Sequence, residues 1–186
     1  MTSHSLSERL PNVRGQIATV SLRPLALADA PAIAAAVDSS REALRRWMPW
    51  YRDDYDVHAA ENWIDHALTT GAAGTAVHFA ILDSNDRVIG VTSFEDIRDT
   101  PSRAMLGYWL ATPRSGRGIG RVAIAHALAW AREESTIQIA WALVAEANVP
   151  SRRVLEANGL RAVGARGIDE RGDTQLIYEL DLRAPA

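Results

Sequence analysis

The chain has 186 residues, 47% of them hydrophobic, and a formal net charge of −3. That length suits one domain with a sizeable core, and the acidic surplus argues against nonspecific nucleic-acid binding, which depends on basic charge. Cysteine is absent and every basic residue is Arg, so disulfides, thiolate metal sites, a Cys nucleophile, a Walker-A lysine and Schiff-base chemistry are excluded.

No apolar run approaches the roughly 20 residues of a membrane span, and residues 1–9 carry no hydrophobic signal segment. The expectation is a cytoplasmic protein that does not enter a membrane. His58 and His66 lack the i, i+4 spacing of a zinc pair, so no metal is expected. No Gly-x-Ser-x-Gly elbow supports a hydrolase.

Residues 1–15 are polar and predict a loose arm, leaving 16–186 as the domain. Alternation over Gln16–Arg23 predicts a first strand ended by Pro24. Asp29 is the expected N-cap of an Ala-rich helix through Val37, with Pro31 in its first turn. A short helix spans Arg41–Trp47. Beyond an aromatic loop over 47–56, another helix runs over 57–69 and stops at Gly71 and Gly74. Strands follow at 75–82 and 87–94, joined by the turn Asp83-Ser84-Asn85-Asp86, and another covers 103–111.

The punctuated run Pro113-Arg114-Ser115-Gly116-Arg117-Gly118-Ile119-Gly120 leads into a helix to about Glu133, whose apolar residues have helical spacing. A strand over 137–144, a helix over 148–157 closed by Gly159, and strands over 160–166 and 174–182 complete the chain. The class is mixed α/β: antiparallel hairpins first, then one strand–helix–strand crossover, then a hairpin.

Ser115–Gly120 carries the strongest chemical signal. A strand–helix junction presents the unpaired first N–H groups of the helix and its positive dipole end, an anion site that needs no lysine. Gly116, Gly118 and Gly120 allow close approach of a pyrophosphate, and Arg117 and Arg121 add charge at the rim. The competing reading is a plain connecting turn. Gly118–Ala123 also fits Gly-x-Gly-x-x-Ala of a dinucleotide fold. The loop comes too late in the chain for that, and Glu146 lies farther from Gly118 than the roughly 20 residues expected of a ribose-binding acid.

Together, Gly107-Tyr108-Trp109-Leu110, Ser115-Gly116-Arg117-Gly118-Ile119-Gly120, Asn148-x-x-Ser151-x-x-Val154 and Gly159-Leu160 resemble the GNAT acetyltransferases. The nearest resemblance is to the branch with the ribosomal-protein N-terminal acetyltransferases of the RimJ/RimL type. Leu22-Arg23-Pro24-Leu25, Trp47-Met48-Pro49-Trp50 and Gly90-Val91 are similar to that branch too, so the match runs from about 16 to 182. It implies a twisted, mostly antiparallel sheet splayed between its fourth and fifth strands. It also implies acetyl-CoA as co-substrate, with pantetheine pairing near Leu110 and Ser115, Gly116, Arg117, Gly118, Ile119, Gly120 and Arg121 around the pyrophosphate. Four positions depart from the pattern, one of them Leu160 in place of the common Phe. Ser115 stands where Gln or Arg is usual, a contact Arg114 could supply. Leu155 stands where many relatives carry an acidic Tyr, and Met105 where others carry an acid.

Acyl transfer needs a neutral amine, oxyanion stabilisation and help for the departing thiolate. Asn148 and Ser151 share one helix face. Asn148 suits an N-cap or a coenzyme A contact; the resemblance gives Ser151 contact with the thioester sulfur. Glu95 and Asp96 close a strand near the expected amine entry, with Glu95 the candidate base and a solvated strand end the alternative. A protein α-amine, with pKa about 7.7–8.0, needs less help than a lysine at about 10.4. Trp47, Trp50 and Tyr51, followed by Asp53, Asp54 and Asp56, are expected to border the acceptor, or else to pack a helix end. The function expected is acetyl transfer to a peptide N-terminal α-amine. A small-molecule amine acceptor, a noncatalytic acyl-CoA-binding module and a homodimeric state remain open.

Overall fold

The computed structural model describes residues 20–99 and 102–184. The expected arm over 1–15, and the start of the strand expected from Gln16, lie outside them. The elements are β1 (Ser21–Pro24), α1 (Ala30–Asp38), α2 (Arg41–Trp47), α3 (Val57–Ala72), β2 (Val77–Leu82), β3 (Val88–Asp99), β4 (Ser102–Leu110), α4 (Ile119–Glu134), β5 (Ile139–Ala145), α5 (Val149–Ala157), β6 (Arg161–Ile168) and β7 (Thr174–Asp181).

Strand alternation sends successive side chains to opposite faces, and two apolar layers result. Phe79, Ile81, Ile89 and Leu106 pack with residues of α4 and α5, including Ile124, Leu128 and Leu155. Ala80, Leu82, Val91 and Trp109 face the other way, onto Ile33, Val37, Leu44 and Ile64 of α1 to α3. The seven strands are ordered β1-β2-β3-β4-β5-β7-β6. All neighbours are antiparallel except β4 and β5, which run parallel.

That parallel pairing is short. It links Arg103, Ala104 and Met105 to Ile139, Ala140 and Trp141, and then stops. From there β4 continues beside β3 as far as Leu110 opposite Gly90, while β5 continues beside β7 as far as Ala145 opposite Gln175. The splay implied between the fourth and fifth strands is therefore present.

Two local expectations change. Asp29 does not cap α1: its carboxylate accepts from Arg23, at 2.5 and 2.8 Å, and from the Ala26 N–H at 2.9 Å. It thus closes the preceding 3₁₀ turn, Leu27–Asp29, and ties that turn to β1. The helix expected over 57–69 and ended by Gly71 and Gly74 runs past Gly71 to Ala72, while Gly74 is the left-handed residue after it, φ +73°.

Gly90 sits where β3 and β4 approach too closely for a side chain. A Cβ there would lie 2.3 Å from the Trp109 carbonyl oxygen and 3.0 Å from the Leu110 Cα, both backbone atoms that cannot swing aside. Gly90→Ala is expected to destabilise the protein by about 1–3 kcal/mol, read as a lower denaturant midpoint at unchanged slope. An unchanged midpoint would contradict this strand register.

Candidate active site

The sequence places glycines at the start of α4 for two different reasons. Gly116 and Gly118 have φ of +77° and +75°, a region that side-chain-bearing residues rarely adopt. They turn the chain so that α4 begins with its N–H groups facing the loop. Val122 is the first of these to reach back, donating to the Gly118 carbonyl at 3.2 Å, which leaves the earlier amides of the turn for an anion. Gly120 also has a packing role. Its missing Cβ makes room for Leu110 Cδ1 at 3.3 Å and Val154 Cγ2 at 3.4 Å, so that α4, β4 and α5 meet closely. Arg117 and Arg121 are exposed and, among the described residues, make no ion pair.

Arg114 is not free to replace a contact missing at Ser115. Its guanidinium pairs with the buried Asp83 carboxylate at 3.0 Å, while the other Asp83 oxygen accepts from the Asn85 and Arg87 amides. This network ties the β2–β3 turn to the glycine segment, a link between residues far apart in sequence.

At the start of α5, Asn148 is an N-cap: its Oδ1 accepts from the Ser151 N–H at 3.2 Å, with Pro150 in the first turn. The cap fixes Ser151, whose Oγ lies 2.9 Å from the Tyr108 hydroxyl. Tyr108 also donates to the Ser151 carbonyl at 3.2 Å. This contact bridges β4 and α5 beyond the point where β4 and β5 stop pairing. Burial pushes the Tyr108 phenol up to about 12 against the opposing effect of the Ser151 contact, so it stays neutral and able to donate. Sequence reasoning missed Tyr108 as a functional group. Its signal was the period of two that puts it on the same face as Leu110.

On the α1–α3 face of the sheet lies a cavity of about 540 Å³. Val91, Ser93 and Glu95 of β3 and Met105, Gly107 and Trp109 of β4 form its floor, and Tyr108 reaches it from the splay. Its walls come from Ile33, Met48, Trp50, Arg52, Asp54, Tyr55, Ala59 and Trp63. Of the three aromatics expected to border the acceptor, Trp50 alone lines this cavity. The Trp47 ring lies under the Arg46 guanidinium at 4.7 Å. Tyr51 packs against the α1–α3 core and donates to Asp53. The three acids also divide. Asp53 pairs with Arg45, Asp56 caps α3 by accepting from Ala59, and Asp54 faces the cavity. Tyr55, Trp63 and Trp109 line the cavity without having been singled out: Tyr55 lies in a loop with no period from which facing could be read, and Trp63 and Trp109 come from α3 and β4, outside the aromatic run.

Glu95 stands at one end of the cavity. His78 Nε2 lies 3.5 Å from its carboxylate, and the Ser93 hydroxyl donates to it at 2.8 Å. The contact from His78, helped by Ser93, holds the carboxyl below its ordinary value although burial pushes the other way. His78 is itself nearly enclosed, against the edge of Trp63, and its Nδ1 has no hydrogen-bond partner among the described residues. A bare lone pair there costs less than an unpaired N–H, which favours the tautomer with the proton on Nε2, facing Glu95. Asp96, next in sequence, has φ +54°, lies at a register shift between β3 and β4 and does not line the cavity.

A depressed carboxyl contributes stability in full above its unfolded value of about 4.3 and loses it as pH falls through the lower folded value. Removing the donor raises that folded value. His78→Phe is therefore expected to move the Glu95 carboxyl titration, followed by carbon-13 NMR, to higher pH, whereas His78→Gln, which keeps an N–H donor, moves it less. Identical titration in all three proteins would show that His78 does not act on Glu95.

Comparison with known proteins agrees with this geometry. Residues 19–161 match the acetyltransferase (GNAT) domain model. A probable N-acetyltransferase, YjcK of Bacillus subtilis, is 30% identical over 149 residues, covering 78% of this chain and 82% of that protein. The ribosomal-protein-S5-alanine acetyltransferase of Vibrio fischeri has a similar fold, with a TM-score of 0.81 at 20% identity over 94% of this chain and 100% of that one. RimJ of Mycobacterium smegmatis, solved with CoA-disulfide, gives a TM-score of 0.81 at 24% identity over 87% and 81%. The splayed sheet, the glycine turn at α4 and the matched domain together place the chain in the GNAT acetyltransferase family.

Proposed function

We propose that the protein transfers an acetyl group from acetyl-CoA to a primary amine, specifically the N-terminal α-amine of a peptide or protein. One observation carries the reading. The Tyr108–Ser151 contact, at 2.9 Å, stands at the open edge of β4, with the glycine turn on one side of the sheet and a carboxylate-bearing cavity on the other. A thioester laid along the β4 edge from the glycine turn would bring its carbonyl to the floor of the acceptor cavity. The N–H groups of residues 116–121, with Arg117 and Arg121, are the proposed pyrophosphate contacts. Leu110 lies where pantetheine would run. Asn148 acts indirectly, through the cap that orients Ser151.

The chemistry follows from the groups present. A neutral amine in the cavity attacks the thioester carbonyl, forming the C–N bond and placing positive charge on nitrogen. Glu95, held ionised by His78 and Ser93, stabilises that charge and accepts the proton. As the C–S bond breaks, the Ser151 hydroxyl donates to the sulfur, and the Tyr108 hydroxyl turns its single proton from the Ser151 carbonyl to Ser151 Oγ. An α-amine is already partly neutral near pH 7, so a weak base such as Glu95 is sufficient for it and much less so for a lysine. The cavity charge also favours an α-amine over a polyamine: Arg52 faces the same space as Asp54 and Glu95.

Ser151→Ala is expected to lower kcat on the order of a hundredfold with little change in the acetyl-CoA KM, because the contact matters most in the transition state. Tyr108→Phe should lower it less, since Ser151 retains its hydroxyl. With chemistry shown to limit the rate, an unchanged kcat in Ser151→Ala would remove that residue from the mechanism. For the acceptor, peptides acetylated at a free α-amine and inert once it is blocked, whatever their lysines, would support the reading. Turnover confined to small amines would overturn it.

A further inference from the structure

The acceptor cavity has two unlike ends. Its floor is a ladder of three cross-strand pairs, Glu95–Met105, Ser93–Gly107 and Val91–Trp109. Each step advances two residues, or about 7 Å. The middle pair is the one beside Tyr108 and the splay, and Gly107 contributes no side chain there. The first pair ends in the Glu95 carboxylate. The third ends in Trp109, under an aromatic wall: the Trp50 ring centroid is 6.0 Å from Trp109 and 5.8 Å from Tyr55. Met48 and Ile33 also line the cavity.

Trp109 is buried, yet Trp50 above it remains 41% exposed beside open space. An indole left that wet against a concave apolar surface marks a place where further apolar area can be buried. The Tyr55 ring is partly buried at the same wall, and burial pushes its phenol up to about 12, so the phenol carries no charge in the neutral range.

We propose that the Trp50–Tyr55–Trp109 end is a side-chain pocket. It selects acceptors that carry a bulky apolar group, aromatic or branched aliphatic, on the carbon next to the reacting nitrogen. The amine sits at the Gly107 step with Glu95 to one side, and its substituent extends toward Trp109 on the other. Short or hydroxylated substituents leave Trp50 in water and gain little. A linear polyamine has no branched or aromatic group on the carbon next to its nitrogen and leaves the pocket unfilled. This inference rests on the reading of the cavity as the acceptor site.

A matched series of amino-acid amides tests it: glycinamide, serinamide, leucinamide and phenylalaninamide, with spermidine alongside, each at saturating acetyl-CoA. A buried apolar group discriminates by roughly 10–200-fold in kcat/KM. The leucine and phenylalanine amides are expected to exceed glycinamide by a factor in that range. Trp50→Ala should compress the ratio, chiefly through the acceptor KM. Equal kcat/KM across the series, a preference for glycinamide, serinamide or spermidine, or an unchanged ratio in folded Trp50→Ala would overturn the proposal. The wild-type ratio decides the point even if the variant does not fold. If no amine is acetylated while calorimetry shows coenzyme A bound, acetyl transfer itself fails and the pocket assignment falls with it. Turnover without discrimination rejects the pocket assignment alone.

Discussion

The structure turns on how early β4 and β5 part. Three residue pairs hold them together, after which each strand stays bonded only on its far side, β4 to β3 and β5 to β7. Two strand edges therefore face one another without pairing inside an otherwise continuous sheet. Unmet backbone groups in such a cleft are costly, and a ligand that is itself a chain of amides can satisfy them as an added strand would. The cleft also brings both faces of the sheet to one point. Tyr108 belongs by alternation to the α4–α5 layer and yet lines the cavity of the α1–α3 layer.

Charge is divided along the same line. The glycine turn supplies amides, a helix N-terminus and two guanidinium groups without an ion pair among the described residues, all suited to an anion. The cavity side supplies Glu95 and Asp54, tempered by Arg52, and is otherwise largely apolar. Arg114 might have added to the positive side, but its tie to Asp83 spends it on structure. Under the proposed function, a phosphorylated cosubstrate and an amine acceptor are thus directed to opposite faces by groups that do not compete. The two substrates can be present together, as direct attack requires.

Most of this was legible in the sequence wherever the signal was local. The helices α1 to α5 follow from caps, prolines and apolar spacing. The glycine turn follows from three glycines at a strand–helix junction, whereas Ser151 stands out through the family resemblance and not through any spacing. What escaped depends on register or on long-range contact. His78 reaches Glu95 because β2 pairs with β3 so that His78 lies opposite Ser93, two residues from Glu95. No spacing along the chain reveals that. Nor does the glycine run reveal that the absent Cβ of Gly120 faces Leu110 and Val154. The aromatic run misled in the same way: Trp47, Trp50 and Tyr51 lie at a helix end and in an irregular loop, where three neighbouring rings can face three directions.

Ser151 shows why the fold and the chemistry are hard to separate here. Its backbone N–H is held by Asn148, and its hydroxyl and carbonyl by Tyr108. Tyr108 is in turn fixed by the β3–β4 register, in which Gly90 admits the close approach of Trp109 and Leu110. A hydroxyl on a free helix end would sample several rotamers, and its ordering would have to be met during the reaction. Here the ordering is met by folding: one cap, one tyrosine and one glycine hold the Ser151 hydroxyl in place before any substrate arrives.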